Sequence, residues 1–124
     1  MATIRLEYHY EEAGKIKRNV LEFSKALLKE PYNEDSLFVI KVEGQSMQPK
    51  INDQALVVAD VSQKEFVIEG IYLVFYEEKM WIKQAKEEEG KKLFVSINPA
   101  FSHLVYDFTD VRIVAKALLT FTTL

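Results

Sequence analysis

The sequence predicts a compact, mainly β fold. Short apolar runs of five or six residues recur along the chain and are separated by polar, Gly- or Pro-bearing breaks. The first of them alternates apolar and polar side chains with a period of two, and only one segment carries a helical period. At 124 residues the chain is long enough for one domain with its own core, and it has no cysteine to staple that core.

Taken in order, Ile4, Leu6, Tyr8 and Tyr10 fall on one side of an extended strand. Glu11-Glu12-Ala13-Gly14 follows as a polar break ending in two small residues. Between Asn19 and Lys29, Val20, Leu21, Phe23, Leu27 and Leu28 match two or three turns of amphipathic helix, with a packed loop as the alternative. Pro31 to Asp35 is turn material, with Asp35 a candidate cap. Leu37–Val42 and Ala55–Ala59 are near-continuous apolar runs of the kind found in buried strands. Ile71–Tyr76 and Met80–Ala85 flank Glu77-Glu78-Lys79 as a hairpin. The charged run Lys86 to Lys92, with Gly90 inside it, is a solvated tip leading into Leu93–Ile97. Val111–Phe121 closes the chain.

Composition removes several classes of function. Sixteen basic and nineteen acidic residues leave a formal charge of −3, a poor match for a domain that grips DNA by itself. Without cysteine there is no disulfide framework, zinc-thiolate cluster or thiol nucleophile, which fits a reducing compartment. His9 and His103 are too isolated to propose a metal site, so no metal or cofactor is expected. No stretch approaches a membrane span and the N-terminus lacks a signal-peptide core. A cytoplasmic, membrane-free protein is expected.

The chemistry centres on Val42-Glu43-Gly44-Gln45-Ser46-Met47-Gln48-Pro49. Gly44 permits torsions that other residues resist, and Pro49 disfavours helix at Gln48. Ser46 is therefore expected on a tight turn with its hydroxyl projecting. A serine on a bend is ordinarily a turn or cap residue, and a strand lysine is ordinarily a surface residue with a snorkelling stem. What changes the weighing is Lys83, 37 positions later in Met80-Trp81-Ile82-Lys83-Gln84-Ala85. Alternation puts Trp81 and Ala85 on its side of the strand, where they would help strip water from its amine.

Gly-Gln-Ser-Met-Gln-Pro followed at this distance by Ile82-Lys83-Gln84, with Asn98-Pro99 after a later strand, resembles the Ser-Lys peptidase domain of LexA, UmuD and phage repressors. The resemblance runs from about Glu7 to the C-terminus. It departs at Gln45, where the family carries an acid, and at Asn52-Asp53-Gln54, where the family's turn has a glycine. It implies a LexA C-terminal-domain-like, signal-peptidase-like β fold, with residues 1–35 as an arm and connecting region and 36–124 as the peptidase and dimerisation core. It further implies Ser46 as nucleophile, Lys83 as general base, and the backbone N–H groups of Gln45 and Ser46 as oxyanion hole.

Relatives cut their own chain at an Ala-Gly or Cys-Gly bond, and Ala13-Gly14 stands 33 positions before Ser46. Glu11 and Glu12 replace the small or apolar residues that usually precede that bond, so an ordinary loop is the competing reading. The resemblance implies a homodimer, a RecA filament as co-protease, and DNA contact only through a helix-turn-helix domain absent from this sequence. The first expectation is thus the autoproteolytic domain of a LexA-like or phage-type repressor. A UmuD-like accessory subunit of a lesion-bypass polymerase, and a non-catalytic dimerisation or sensing module with an idle dyad, are the alternatives. A signal peptidase shares the serine and lysine logic but is disfavoured by the lack of an anchor or export signal.

Overall fold

A computed structural model describes residues 2–124. The described residues form nine strands and four single 3-10 turns. Strands β1 (Thr3–Glu12) and β2 (Lys15–Ser24) make a hairpin that is its own two-stranded sheet. The other seven are β3 (Leu37–Lys41), β4 (Leu56–Asp60), β5 (Ile71–Tyr76), β6 (Lys79–Glu88), β7 (Lys91–Val95), β8 (Val105–Asp107) and β9 (Arg112–Phe121). They form one antiparallel sheet in the order β3-β4-β9-β5-β6-β7-β8.

The mainly β architecture of short antiparallel strands agrees with the sequence expectation. The helix expected between Asn19 and Lys29 does not form. Ten register pairs tie β1 to β2, from Thr3 opposite Ser24 to Glu12 opposite Lys15. Leu21 and Phe23 share a face with Leu6 and Ile4, so a period-two stripe, which also reaches Asn19 and Lys17, replaces the helical one. A short helical pattern depends on tertiary support, and here cross-strand pairing takes the backbone groups instead. Only Lys25–Leu27 turns, as a 3-10 segment capped by Ser24. The cap expected at Asp35 is Asn33, whose Oδ1 accepts the Asp35 N–H at 3.1 Å.

The hairpin packs against β3 and shares its core. Ile4, Tyr8, Phe23 and Leu28 form one apolar cluster with Leu37, Val39 and Val58. A second cluster, built from Val42, Met47, Ile51, Ala55 and Val57, underlies the Ser46 turn. A third joins Tyr72, Val74, Ala85 and Phe94, with Trp81 and Tyr106 packed on it. Central strand β9 is paired with β4 through its C-terminal half and with β5 through its N-terminal half. Register shifts between Val58 and Ala59, and between Leu73 and Val74, bend it where it passes from one to the other. That bend brings Ile40 of β3 and Ile82 of β6 into the same clusters, although their strands lie four places apart in the sheet.

Candidate active site

The Ser46 turn is anchored from three sides. Met47, 2 % exposed, plugs the second cluster, and its carbonyl accepts the Ile51 N–H at 3.0 Å. The Gly44 N–H donates to Asp53 Oδ1 at 2.9 Å, while the Gln54 N–H donates to the Val42 carbonyl at 2.8 Å. Asp53 therefore does structural duty in the turn that lacks the family's glycine, and Gln54 adopts the positive φ of 70° that the reversal needs. Gly44 itself sits at φ 107°, open to glycine and strained for other residues.

Asn98 supplies the third anchor. Its Nδ2 donates to the Gln45 carbonyl at 2.8 Å, and its main-chain N–H donates to the Ser46 carbonyl at 2.9 Å. A trans peptide is planar, with its N–H pointing opposite to its C=O. Holding the Gln45 carbonyl thus aims the Ser46 N–H the other way. Among the described residues, the N–H groups of Gln45 and Ser46 take no protein acceptor.

Strand β6 carries Lys83 into this corner. Its side chain is fully buried at 0 % exposure, and Nζ lies 3.3 Å from Ser46 Oγ and 2.9 Å from Ser96 Oγ. The rings of Trp81 and Tyr106 stand 5.4 and 5.9 Å from the nitrogen. Opposite Lys83 on β5 is Tyr72, also fully buried. Among the described residues no carboxylate lies within ion-pair distance of it. Burial without a counter-charge disfavours the ammonium and pushes the amine down from 10.5 to about 8.

A cleft of about 850 Å³ opens beside this pair. Ile40, Val42, Met80, Ile82, Phe101 and Leu104 give it an apolar lining, which Gln45 and Ser46 join. Ala13 and Gly14 lie elsewhere, at the two-residue tip of the β1–β2 hairpin, with φ of 52° and 77°. Both are exposed and neither lines the cleft.

The structure thus brings together Ser46, Lys83 and the Gln45–Ser46 backbone, and leaves Ala13-Gly14 apart from them. Two participants escaped the sequence reading: Ser96, which shares the lysine, and Asn98, which fixes the turn. Both stand in Ser96-Ile97-Asn98-Pro99, just past the end of β7, where the sequence offers the Asn98-Pro99 step of the family resemblance and no signal for Ser96. His9 and His103 are both exposed, and no group of three metal-ligating side chains occurs among the described residues.

A family model described as peptidase S24-like matches residues 6–118. No curated protein matches the chain. A match over nearly the whole length, on the β fold that the motifs imply, places the chain in the peptidase S24-like family, the self-cleaving Ser-Lys peptidase domains of the LexA, UmuD and phage-repressor type.

Proposed function

We propose that Ser46 attacks the carbonyl carbon of Ala13, with Lys83 as base, and cuts the chain's own Ala13-Gly14 bond. The observation that carries this reading is a fully buried amine 3.3 Å from the hydroxyl of a serine that lines an apolar cleft. Serine is a weak nucleophile until a neighbour takes its proton. Neutral Lys83 takes it as the Ser46 Oγ–carbon bond forms, and the carbonyl oxygen becomes an oxyanion facing the Gln45 and Ser46 N–H groups. Such preorganised donors lower the barrier by roughly 3–4 kcal/mol each. Collapse breaks the C–N bond, the Lys83 ammonium returns its proton to the Gly14 amine, and water then hydrolyses the Ala13 ester on Ser46.

The hairpin accounts for latency in this reading. Substrate must lie extended across the serine, whereas Ala13 and Gly14 both hold left-handed torsions at a tight turn. The tip has to leave that turn before it can be cut, and a partner that favours the docked arm speeds the reaction by population shift. A RecA filament is the proposed partner, and a LexA-like or phage-type repressor the proposed parent protein.

A homodimer is also proposed, through the C-terminal strand. The edge of Ala117–Phe121 turned away from β4 has no strand partner among the described residues, and Ala117 to Thr120 line a small groove with Ile51 and Ile71. Such an edge invites strand addition from a second copy.

Incubation of the purified chain at pH 9, followed by intact-mass analysis, tests the cleavage. Fragments ending at Ala13 and starting at Gly14 are expected, and Ser46→Ala is expected to stay whole. Cleavage that persists in Ser46→Ala would remove the assignment.

A further inference from the structure

We propose that Lys41 and Lys79, on the rim of the cleft, receive the carboxylates of Glu11 and Glu12, making this peptidase selective for an acidic pair immediately before the small-residue bond. The inference rests on the Ala13-Gly14 reading above and names the recognition that reading needs. Two carboxylates carried over an apolar lining are costly unless they are paired.

The rim provides the partners. Lys41, at the end of β3, and Lys79, at the start of β6, both line the cleft. Neither takes part in an ion pair among the described residues, whereas Lys17, Lys25 and Lys86 all do. The other charged lining groups are Glu43 and Asp53, next to the serine turn. Asp53 is committed to the Gly44 N–H and to Gln54 Nε2. The cleft is therefore basic at β3 and β6 and acidic toward the loop before Ser46.

The arm is already at this rim. Lys41 Nζ lies 4.5 Å from the centroid of the Tyr10 ring, one residue before Glu11. Glu11 and Glu12 follow within ~3–7 Å of extended chain. In the hairpin Glu12 holds Lys17 at 2.9 Å, and that contact chiefly keeps its carboxyl below the usual range, with a smaller contribution from Lys41. Opening the hairpin end separates Glu12 from Lys17, and the rim lysines supply replacement charge at that moment.

The test is the self-cleavage rate of the full chain at pH 9 and low salt. Lys41→Glu with Lys79→Glu is expected to slow cleavage about tenfold or more, an effect that shrinks in 1 M salt as exposed charges are screened. Glu11→Lys with Glu12→Lys on the native rim is expected to slow it too, even though losing the Glu12–Lys17 contact loosens the hairpin. All four reversals in one chain are expected to return the rate to within about threefold. Lys41→Gln with Lys79→Gln, which removes charge without adding any, serves if reversal unfolds the chain. A native chain that is cut while rim reversal changes nothing, or four reversals that fail to restore the rate, overturns the rim pairing alone. A native chain that stays whole overturns the cleavage reading and this inference together.

Discussion

Raising the pH from 7 to 9 should speed self-cleavage roughly tenfold, and raising it further should do little. Only neutral Lys83 can accept the Ser46 proton. With the amine at about 8, the neutral fraction is about one in eleven at pH 7 and about ten in eleven at pH 9. A hydrated lysine at its ordinary value would instead be neutral in about one molecule in three thousand at pH 7 and gain tenfold per pH unit up to about 10. The structural cause is the dry pocket made by Trp81, Tyr106 and Tyr72, which disfavours the ammonium by roughly 3 kcal/mol. First-order rates of chain loss from pH 6 to 10.5, read by mass spectrometry against Ser46→Ala, give the profile. A rate independent of pH between 7 and 9, or still climbing tenfold per unit above 9.5, would refute the reasoning.

The same amine makes a stability prediction. Between about pH 8 and 10.5 the unfolded lysine holds a proton that the folded one has lost, so stability should rise with pH through that window. Lys83→Met, which removes the buried charge, should abolish cleavage yet stabilise the fold by up to roughly 2 kcal/mol at pH 7 in urea titrations, the gain fading by pH 10.5. Ser96→Ala should lower the plateau rate about tenfold and move the pH midpoint down, because the ammonium loses its 2.9 Å acceptor; Ser96→Thr should recover most of both. Asn98→Ala should lower the plateau by about 10–100-fold without moving the midpoint, since it frees the Gln45 and Ser46 peptides and leaves the amine alone. Asp60 is a structural contrast. Burial pushes its carboxyl up, but Ser62, Gln63 and the Asn33 N–H outweigh this and hold it below the usual range. Asp60→Ala should cost about 2–4 kcal/mol in urea titrations and leave the cleavage midpoint unchanged.

What the sequence disclosed follows from where its information lies. The apolar centres of β3 to β7 and β9 were legible as runs bounded by turn residues, and in β4 and β5 burial on both faces writes that pattern directly. The charged tip expected over Lys86 to Lys92 is instead mostly strand, because Lys86, Glu87 and Glu88 of β6 pair with Leu93, Lys92 and Lys91 of β7. The serine turn and the lysine strand were legible because glycine, proline and two-fold alternation carry backbone meaning. Strand β2 was not, since Val20, Leu21, Phe23, Leu27 and Leu28 satisfy a helical stripe almost as well as a strand stripe. Only pairing with Ile4 and Leu6 decides between them. β8 is three residues long, with Val105 and Asp107 exposed, and exists because β7 offers it an edge. Ser96 and Asn98 reach the site from beyond β7 through the bend of the sheet, a tertiary fact no local pattern encodes. The nearness of Lys41 to Tyr10 of the arm, which underlies the proposed pairing with Glu11 and Glu12, likewise exists only in the folded chain.

The account turns on Lys83 losing its proton near neutrality inside the folded chain. Titrating its side-chain amine by nuclear magnetic resonance, in a full-length Ser46→Ala chain that stays whole at alkaline pH, measures this without reference to catalysis. The structure predicts a midpoint at about 8, with resonances shifted by the neighbouring Trp81 and Tyr106 rings. A midpoint at 10 or above, like that of the solvated lysines, would contradict it.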